Sequence, residues 1–89
     1  MHAVVVRVAV NDVETAENML REQVVPRVQQ MPGFVNGYWT RAEGSGLSMI
    51  LFDSEENARQ ASEQVQANMP PGEAVTFNSA EVREVVAQA

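Results

Sequence analysis

The chain has 89 residues, of which 45% are hydrophobic and 20% charged, a balance typical of a folded globular domain and not of a disordered chain. It has no cysteine, which excludes a disulfide framework, a thiolate nucleophile and a cysteine metal site. The formal charge is −6, from ten Glu and two Asp against six Arg and no Lys, and this disfavours nucleic acid as a partner, because such binding depends on neutralising phosphates. The apolar run at the start is interrupted by Arg7 and is too short to span a bilayer or to act as a secretion signal. We therefore predict one domain over residues 1–89, located in the cytoplasm, with neither nucleic acid nor a membrane as a partner.

The first predicted strand covers residues 2–10. One face carries four β-branched side chains, at Val4, Val6, Val8 and Val10. The other face carries Ala3, Val5, Arg7 and Ala9. Because both faces are largely apolar, we expect this strand to lie in the centre of a sheet and to be covered on both sides.

A long helix is predicted over residues 12–31, with Asn11 and Asp12 as capping residues. Its apolar side chains recur at steps of three and four, at Val13, Ala16, Leu20, Val24, Val28 and Met31. On the outer side Glu17 is expected to pair with Arg21. Pro26 removes one backbone donor, so we expect a kink or a loosened turn near residues 22–26.

The second half of the chain predicts a hairpin, a helix and a last strand. The hairpin strands cover residues 34–42 and 47–52, with a turn at residues 43–46. The helix begins after Asp53 and Ser54, pairs Glu55 with Arg59 on its outer side, and ends at residues 70–72. Its inner stripe consists of Ala58, Ala61, Val65 and Met69. After Val75, Phe77 and a polar interval, residues 82–87 are predicted as the fourth strand.

The order βαββαβ predicts an α+β, ferredoxin-like fold, an antiparallel four-stranded sheet with two helices on one face. Two helices leave the other face of the sheet uncovered, although the first strand is apolar on both faces. A second copy of the same sheet is the simplest partner, because a two-fold interface needs only one self-complementary patch. We therefore expect a homodimer.

Four segments carry a resemblance to a known family. They are the Val-rich first strand, the stretch from Val25 to Trp39 (VPRVQQMPGFVNGYW), the strand Met49 to Ser54 (MILFDS) and the ending Glu84 to Ala87 (EVVA). With these, nearly the whole chain resembles the antibiotic-biosynthesis-monooxygenase-like (ABM-like) family. The resemblance implies a dimeric α/β barrel, in which two ferredoxin-like sheets pack face to face.

The activities of that family range from cofactor-free oxygenation of aromatic polyketides and quinols to heme degradation, and many members have no assigned reaction. Heme-degrading members use a His ligand to iron, whereas the only histidine here is His2, at the start of the chain. We therefore do not expect heme degradation, and we predict no metal and no cofactor. The resemblance implies a small apolar or aromatic ligand, with cofactor-independent monooxygenase chemistry as the corresponding reaction and no catalytic residue assigned.

Candidate pocket residues are polar or aromatic, as needed to orient a phenol or quinol: Asn36, Tyr38, Trp39, Arg7, Arg41 and Arg83. In a regular strand Asn36 and Tyr38 point to one face and Trp39 and Arg41 to the other, so a bulge at Gly37 is needed to bring all four together. The aromatic pair suits a role in stabilising the sheet or its interface better than a role in a pocket. Arg7, on an apolar face, requires an acidic partner, for which Glu81 and Glu84 are the candidates, or a ligand.

Four methionines, Met19, Met31, Met49 and Met69, suit core packing better than a soft apolar pocket.

Three functions stay open at this point. The first is a dimeric ligand-binding domain, the second is a non-catalytic structural or sensing dimer whose apolar faces serve only folding and association, and the third is another ferredoxin-like module, such as an amino-acid-sensing domain. A cavity of ~300 Å³ between sheet and helices would favour the first, and a filled interior the second.

Overall fold

The computed structural model describes residues 1–68 and 75–89. Four strands, β1 (His2–Val10), β2 (Phe34–Ala42), β3 (Ser45–Phe52) and β4 (Val75–Glu84), form one antiparallel sheet in the order β2-β3-β1-β4. The helical segments are α1 (Val13–Met19), a π-helical segment (Leu20–Val24), α2 (Val25–Gln29) and α3 (Glu55–Asn68). The order of elements and the sheet confirm the predicted α+β, ferredoxin-like βαββαβ fold.

The core lies between one face of the sheet and the helices. Its buried side chains come from β1, β3, α2 and α3, and they are Val4, Val6, Val28, Ile50, Phe52, Ala58 and Ala61. The ring of Phe52 meets that of Phe34 edge to face, with ring centres 6.2 Å apart. Within the described ranges, no helix combines the length and the apolar character that are needed to cross a bilayer.

Strand β1 occupies the centre of the sheet, as predicted. It pairs with β3 on one side and with β4 on the other, so that His2 lies opposite both Phe52 and Glu84. The helices cover the face of Val4 and Val6, whereas none of the helices described above packs on the face of Val5 and Arg7. We call this second surface the open face.

The long first helix is interrupted where a loosened turn was expected. Asp12 caps its start by accepting a hydrogen bond from the backbone N–H of Thr15 at 3.2 Å. The π-helical segment Leu20–Val24 then precedes Pro26, which has no N–H to donate to the preceding turn. Glu17 lies 3.5 Å from Nε of Arg41 on β2, so the predicted pairing with Arg21 is replaced by a contact to the sheet.

Helix α3 follows the prediction closely. Ala58 and Ala61 are buried against the sheet, and the outer pair of Glu55 and Arg59 forms at 2.9 Å. The predicted contribution of Met69 to this helix and the helix end at residues 70–72 lie outside the described residues.

The predicted position of the fourth strand is wrong. The strand covers Val75–Glu84 and not residues 82–87, because a bulge at Asn78 breaks the alternation that marks a strand. Phe77 lies opposite Val8 whereas Ser79 lies opposite Arg7, so the residue between them has no partner on β1. The polar interval in the sequence is therefore part of the strand.

Candidate functional site

A cavity of about 360 Å³ lies between the helix-covered face of the sheet and the first helix. The sheet provides its floor, which includes the buried side chains of Val6 and Ile50. The helix provides its roof, with Ala16, Leu20, Val24 and Val28. The volume falls at the lower end of the range for small-molecule sites, which are mostly apolar with a few polar groups.

Unequal helix packing and small side chains in the sheet explain why this space exists. Helix α3 packs closely on β1, β3 and β4 through its alanines, whereas the first helix makes fewer close approaches to the sheet. Beneath the first helix, β3 presents Gly46 and Ser48 to the floor. A Cβ at residue 46 would lie only 2.8 Å from Cγ2 of Val8, so the floor there accepts glycine best.

Trp39, the only tryptophan of the chain, contributes to the cavity wall. Its indole folds back over Gly37, and a Cβ at that glycine would lie 2.8 Å from Cη2 of the indole. The ring is half-buried against the core. The missing side chain at residue 37 therefore determines where the indole sits.

Three charged residues of the described part of the chain line the cavity: Glu17 on α1, Arg27 on α2 and Arg41 on β2. Glu17 and Arg41 form the ion pair described above, and both side chains are nearly half exposed, so the pair contributes little to stability. The charged groups are at the rim, since Arg27 and Arg41 are both exposed while Val6, Val28 and Ile50 are buried.

The predicted pocket residues are divided between the two faces of the sheet. Trp39 and Arg41 line the cavity, whereas Asn36 and Tyr38 lie on the open face, where Nδ2 of Asn36 donates a hydrogen bond to Oη of Tyr38 at 3.1 Å. The bulge in β2 occurs at Val35 and not at Gly37, so the division expected for a regular strand persists. Within one chain these four residues do not form one pocket.

Arg7 and Arg83 also lie on the open face, and both contact Glu81. The nearest distances from their Nη1 atoms to Oε1 of Glu81 are 2.9 Å for Arg7 and 3.2 Å for Arg83. Glu81 and not Glu84 is thus the partner of Arg7. The hydrogen bond from Arg7, followed by the charge of Arg83, lowers the pKa of the Glu81 carboxyl below its ordinary value of 4.5.

The open face also exposes large apolar side chains. Tyr38 is 57% exposed, Met49 42% and Leu47 36%, and all three lie on neighbouring positions of β2 and β3. Their exposure contrasts with Val5 of β1, which is buried between the flanking strands of the same face. The open face thus combines an apolar area with the charged cluster of Arg7, Glu81 and Arg83.

Sequence reasoning missed most polar residues of the cavity, namely Glu17, Gln23, Arg27, Ser48 and Gln64. Two signals in the sequence point to them: Pro26 within a helical pattern, and the small residues Gly46 and Ser48 on the covered face of β3. Met19 and Met31 line the cavity, while Met49 is on the open face. No cluster of metal-binding side chains occurs among the residues described.

Comparison with known proteins gives one informative result. No family model matches the sequence, and the search of curated proteins finds no relative. One matching crystal structure, at 2.20 Å resolution, is described as a dimeric ferredoxin-like protein from an uncultured marine organism. It is 11% identical, and the alignment covers 100% of this chain and 98% of that chain with a TM-score of 0.62. At this identity the likeness establishes the ferredoxin-like fold and no function.

Proposed function

We propose that this chain forms a homodimeric, ABM-like domain of the dimeric α/β-barrel type and binds a small apolar or aromatic molecule beneath its first helix. The observation that carries the proposal is the cavity of about 360 Å³, which has an apolar floor and a wall that includes Trp39. A filled interior would be expected if the helices served folding alone, because protein interiors are otherwise close-packed.

Three observations support the dimer. The open face carries exposed apolar side chains next to the buried Val5, which is the composition of a surface that becomes covered. A chain of 89 residues buries only roughly 60–65% of its unfolded surface on folding, so an additional interface stabilises it. The similar crystal structure is also described as a dimeric protein.

Ligand binding is tested with N-phenylnaphthylamine, a neutral aromatic dye that fluoresces in apolar sites. The dye should bind with a stoichiometry of one per chain and should change the emission of Trp39. In Ala16→Leu the longer side chain enters the cavity from the roof, so dye binding should be lost while the fold is kept. Ala67→Leu makes the same change on the exposed side of α3, outside the cavity, and should bind the dye like the wild type.

Two results would contradict the ligand site. One is a wild-type protein that binds no dye at concentrations where a small-molecule site would be saturated. The other is equal dye binding by wild type and Ala16→Leu, which would place the dye elsewhere.

Cofactor-independent monooxygenase chemistry is the reaction that the family resemblance suggests for such a cavity. It predicts oxygen consumption with an anthrone or quinol substrate, without added metal or flavin. Trp39→Ala should lower the rate because the indole lines the cavity, whereas Asn36→Ala, on the open face, should leave it unchanged. Absence of turnover with both substrate classes would remove this reaction and leave binding alone.

The second candidate is a non-catalytic structural or sensing dimer. It is favoured by the position of Asn36, Tyr38, Arg7 and Arg83, which all lie on the open face where a second copy would cover them. Native mass spectrometry of protein purified from its source separates the two candidates: a dimer with added mass supports ligand binding, and a bare dimer supports the structural function. A stable monomer would contradict both.

A further inference from the structure

We infer that the molecule bound in this cavity carries an anionic group, a carboxylate, sulfonate or phenolate, and that the guanidinium of Arg27 binds it. This inference rests on the proposed ligand site and names the class of its ligand: an apolar or aromatic body with one negative charge.

The charged side chains along the cavity lining favour an anionic ligand. Glu17 and Arg41 lie 3.5 Å apart and offset each other. Among residues 1–68 and 75–89, Arg27 is the remaining charged residue in the lining, and no carboxylate lies within ion-pair distance of it. The described part of the lining therefore has a net charge of +1, from two arginines and one glutamate.

This local charge contrasts with a chain whose net charge is −6. Interactions between exposed charges are largely screened beyond roughly 8 Å at physiological ionic strength, so the distant acidic side chains have little effect at the rim. A ligand that reaches the cavity thus encounters the positive charge of Arg27 at short range. A guanidinium binds a carboxylate or sulfonate with two parallel hydrogen bonds, which also fixes the orientation of the ligand.

The position of Arg27 in the helix places its guanidinium where the anionic group of such a ligand would lie. It immediately precedes Val28, a roof residue that is 2% exposed, and so it lies beside the apolar part of the cavity. Arg27 itself is exposed, which keeps the guanidinium hydrated until a ligand binds. This arrangement suits an amphiphilic molecule whose apolar body lies beneath Val28 and whose anion stays at the rim.

Neighbouring polar groups support the same orientation. Gln23 precedes Arg27 by four residues and also lines the cavity, and Gln64 of α3 contributes a second amide to the lining. Each side-chain amide has two N–H donors, which suit the oxygens of an anion. Gln23 belongs to the π-helical segment, a feature that occurs frequently at functional sites.

The test compares two dyes with the same aromatic body. Anilinonaphthalene sulfonate carries a negative charge, and N-phenylnaphthylamine does not. Arg27→Gln should weaken binding of the sulfonate by up to about fivefold, the effect of one exposed charge pair, and should leave binding of the neutral dye unchanged. Added salt should weaken the sulfonate complex of the wild type but not that of Arg27→Gln.

Arg21→Gln is the matched control. Arg21 is an exposed arginine of the same helical region and is not part of the cavity lining, so its replacement changes the net charge by the same amount. The control should bind both dyes like the wild type. Sulfonate binding should also be lost in Ala16→Leu, which ties the dye to the cavity.

The outcomes distinguish this inference from the proposal on which it rests. Binding of the neutral dye with no effect of Arg27→Gln on the sulfonate would overturn the inference and leave the ligand site in place. An equal loss in Arg21→Gln, or a loss in Arg41→Gln alone, would also overturn the assignment to Arg27. Failure of both dyes to bind the wild type would overturn the ligand site and this inference together.

Discussion

Replacing Gly37 by alanine tests how the sheet positions the only tryptophan. The new Cβ would lie 2.8 Å from Cη2 and 2.9 Å from Cζ3 of Trp39, closer than such atoms approach each other in proteins. Overpacking of this kind lowers the free energy of unfolding by roughly 1–3 kcal/mol, and the reduced conformational freedom of the unfolded chain offsets about 0.4–1 kcal/mol of this loss. The difference is a net loss of roughly 0–2.6 kcal/mol, and because the contact involves the far end of one side chain, we expect a value in the lower half of this range, about 1 kcal/mol.

The assays are urea denaturation and thermal denaturation followed by circular dichroism, together with the emission spectrum of Trp39. A loss of about 1 kcal/mol corresponds to a fall in Tm of roughly 4–8 °C for a domain of this size. The emission maximum should shift to longer wavelength, because the displaced indole becomes more exposed. The same substitution in a Trp39→Phe background should be neutral or stabilising, since the benzo ring that clashes is gone. A Gly37→Ala protein as stable as the wild type, with unchanged emission, would refute this account of the contact.

Three further substitutions test the ion pair, the core and the helix cap. Glu81→Gln should lower stability at neutral pH. Because Arg7 lowers the pKa of Glu81 in the folded state, the stabilisation by this pair is complete above pH 4.5 and is lost as the pH falls through the folded-state pKa. The denaturation midpoints of the two proteins should therefore converge in acid, and a constant difference between them would contradict the ion pair. Phe52→Leu should cost about 1–2 kcal/mol through the lost edge-to-face contact with Phe34 and altered packing, measured by urea denaturation; an unchanged midpoint would contradict it. Asp12→Ala removes the helix cap and should cost about 1 kcal/mol in the same assay, with Asp12→Asn as the control that keeps it.

The fold was predictable because most of its elements have regular periodicity. Strand β1 alternates two apolar faces over nine residues and lies in the centre of the sheet, as its composition indicates. In α3 the small residues Ala58 and Ala61 mark the face that packs on the sheet. Strong local patterns of this kind agree with the tertiary structure, and so the order of elements follows from them.

A bulge is the reason why the position of the fourth strand was predicted wrongly. The inward-facing residues of β4 are Val75, Phe77, Ala80 and Val82, with steps of two, three and two. The step of three at Asn78 interrupts the alternation, and the polar residues around it resemble a loop. Because periodicity is the main signal by which a strand is recognised, this single unpaired residue caused the prediction to miss the first part of the strand.

The cavity was less predictable than the fold, because a cavity depends on the distance between elements. Strand parity correctly separated Trp39 from Tyr38, and this is a property of one strand. The contribution of Arg27 depends on how the π-helical segment and Pro26 orient the second half of the helix above the sheet. No periodicity along the chain encodes the distance between the helix and the sheet, so the cavity could be recognised only in the structure.

The central position of β1 also determines when the chain can fold during synthesis. His2 pairs with Glu84 and Val4 with Val82, so about eighty residues separate the two ends of these contacts along the chain. Contacts between distant residues slow folding, because the intervening loop must close before the contact forms. Until β4 leaves the ribosome, one edge of the valine-rich strand β1 has unpaired N–H and C=O groups. An unpaired, apolar strand of this kind can pair with strands of other chains. The nascent protein is therefore prone to aggregate until β4 has been synthesised, and a chaperone that binds extended apolar segments would act before that point.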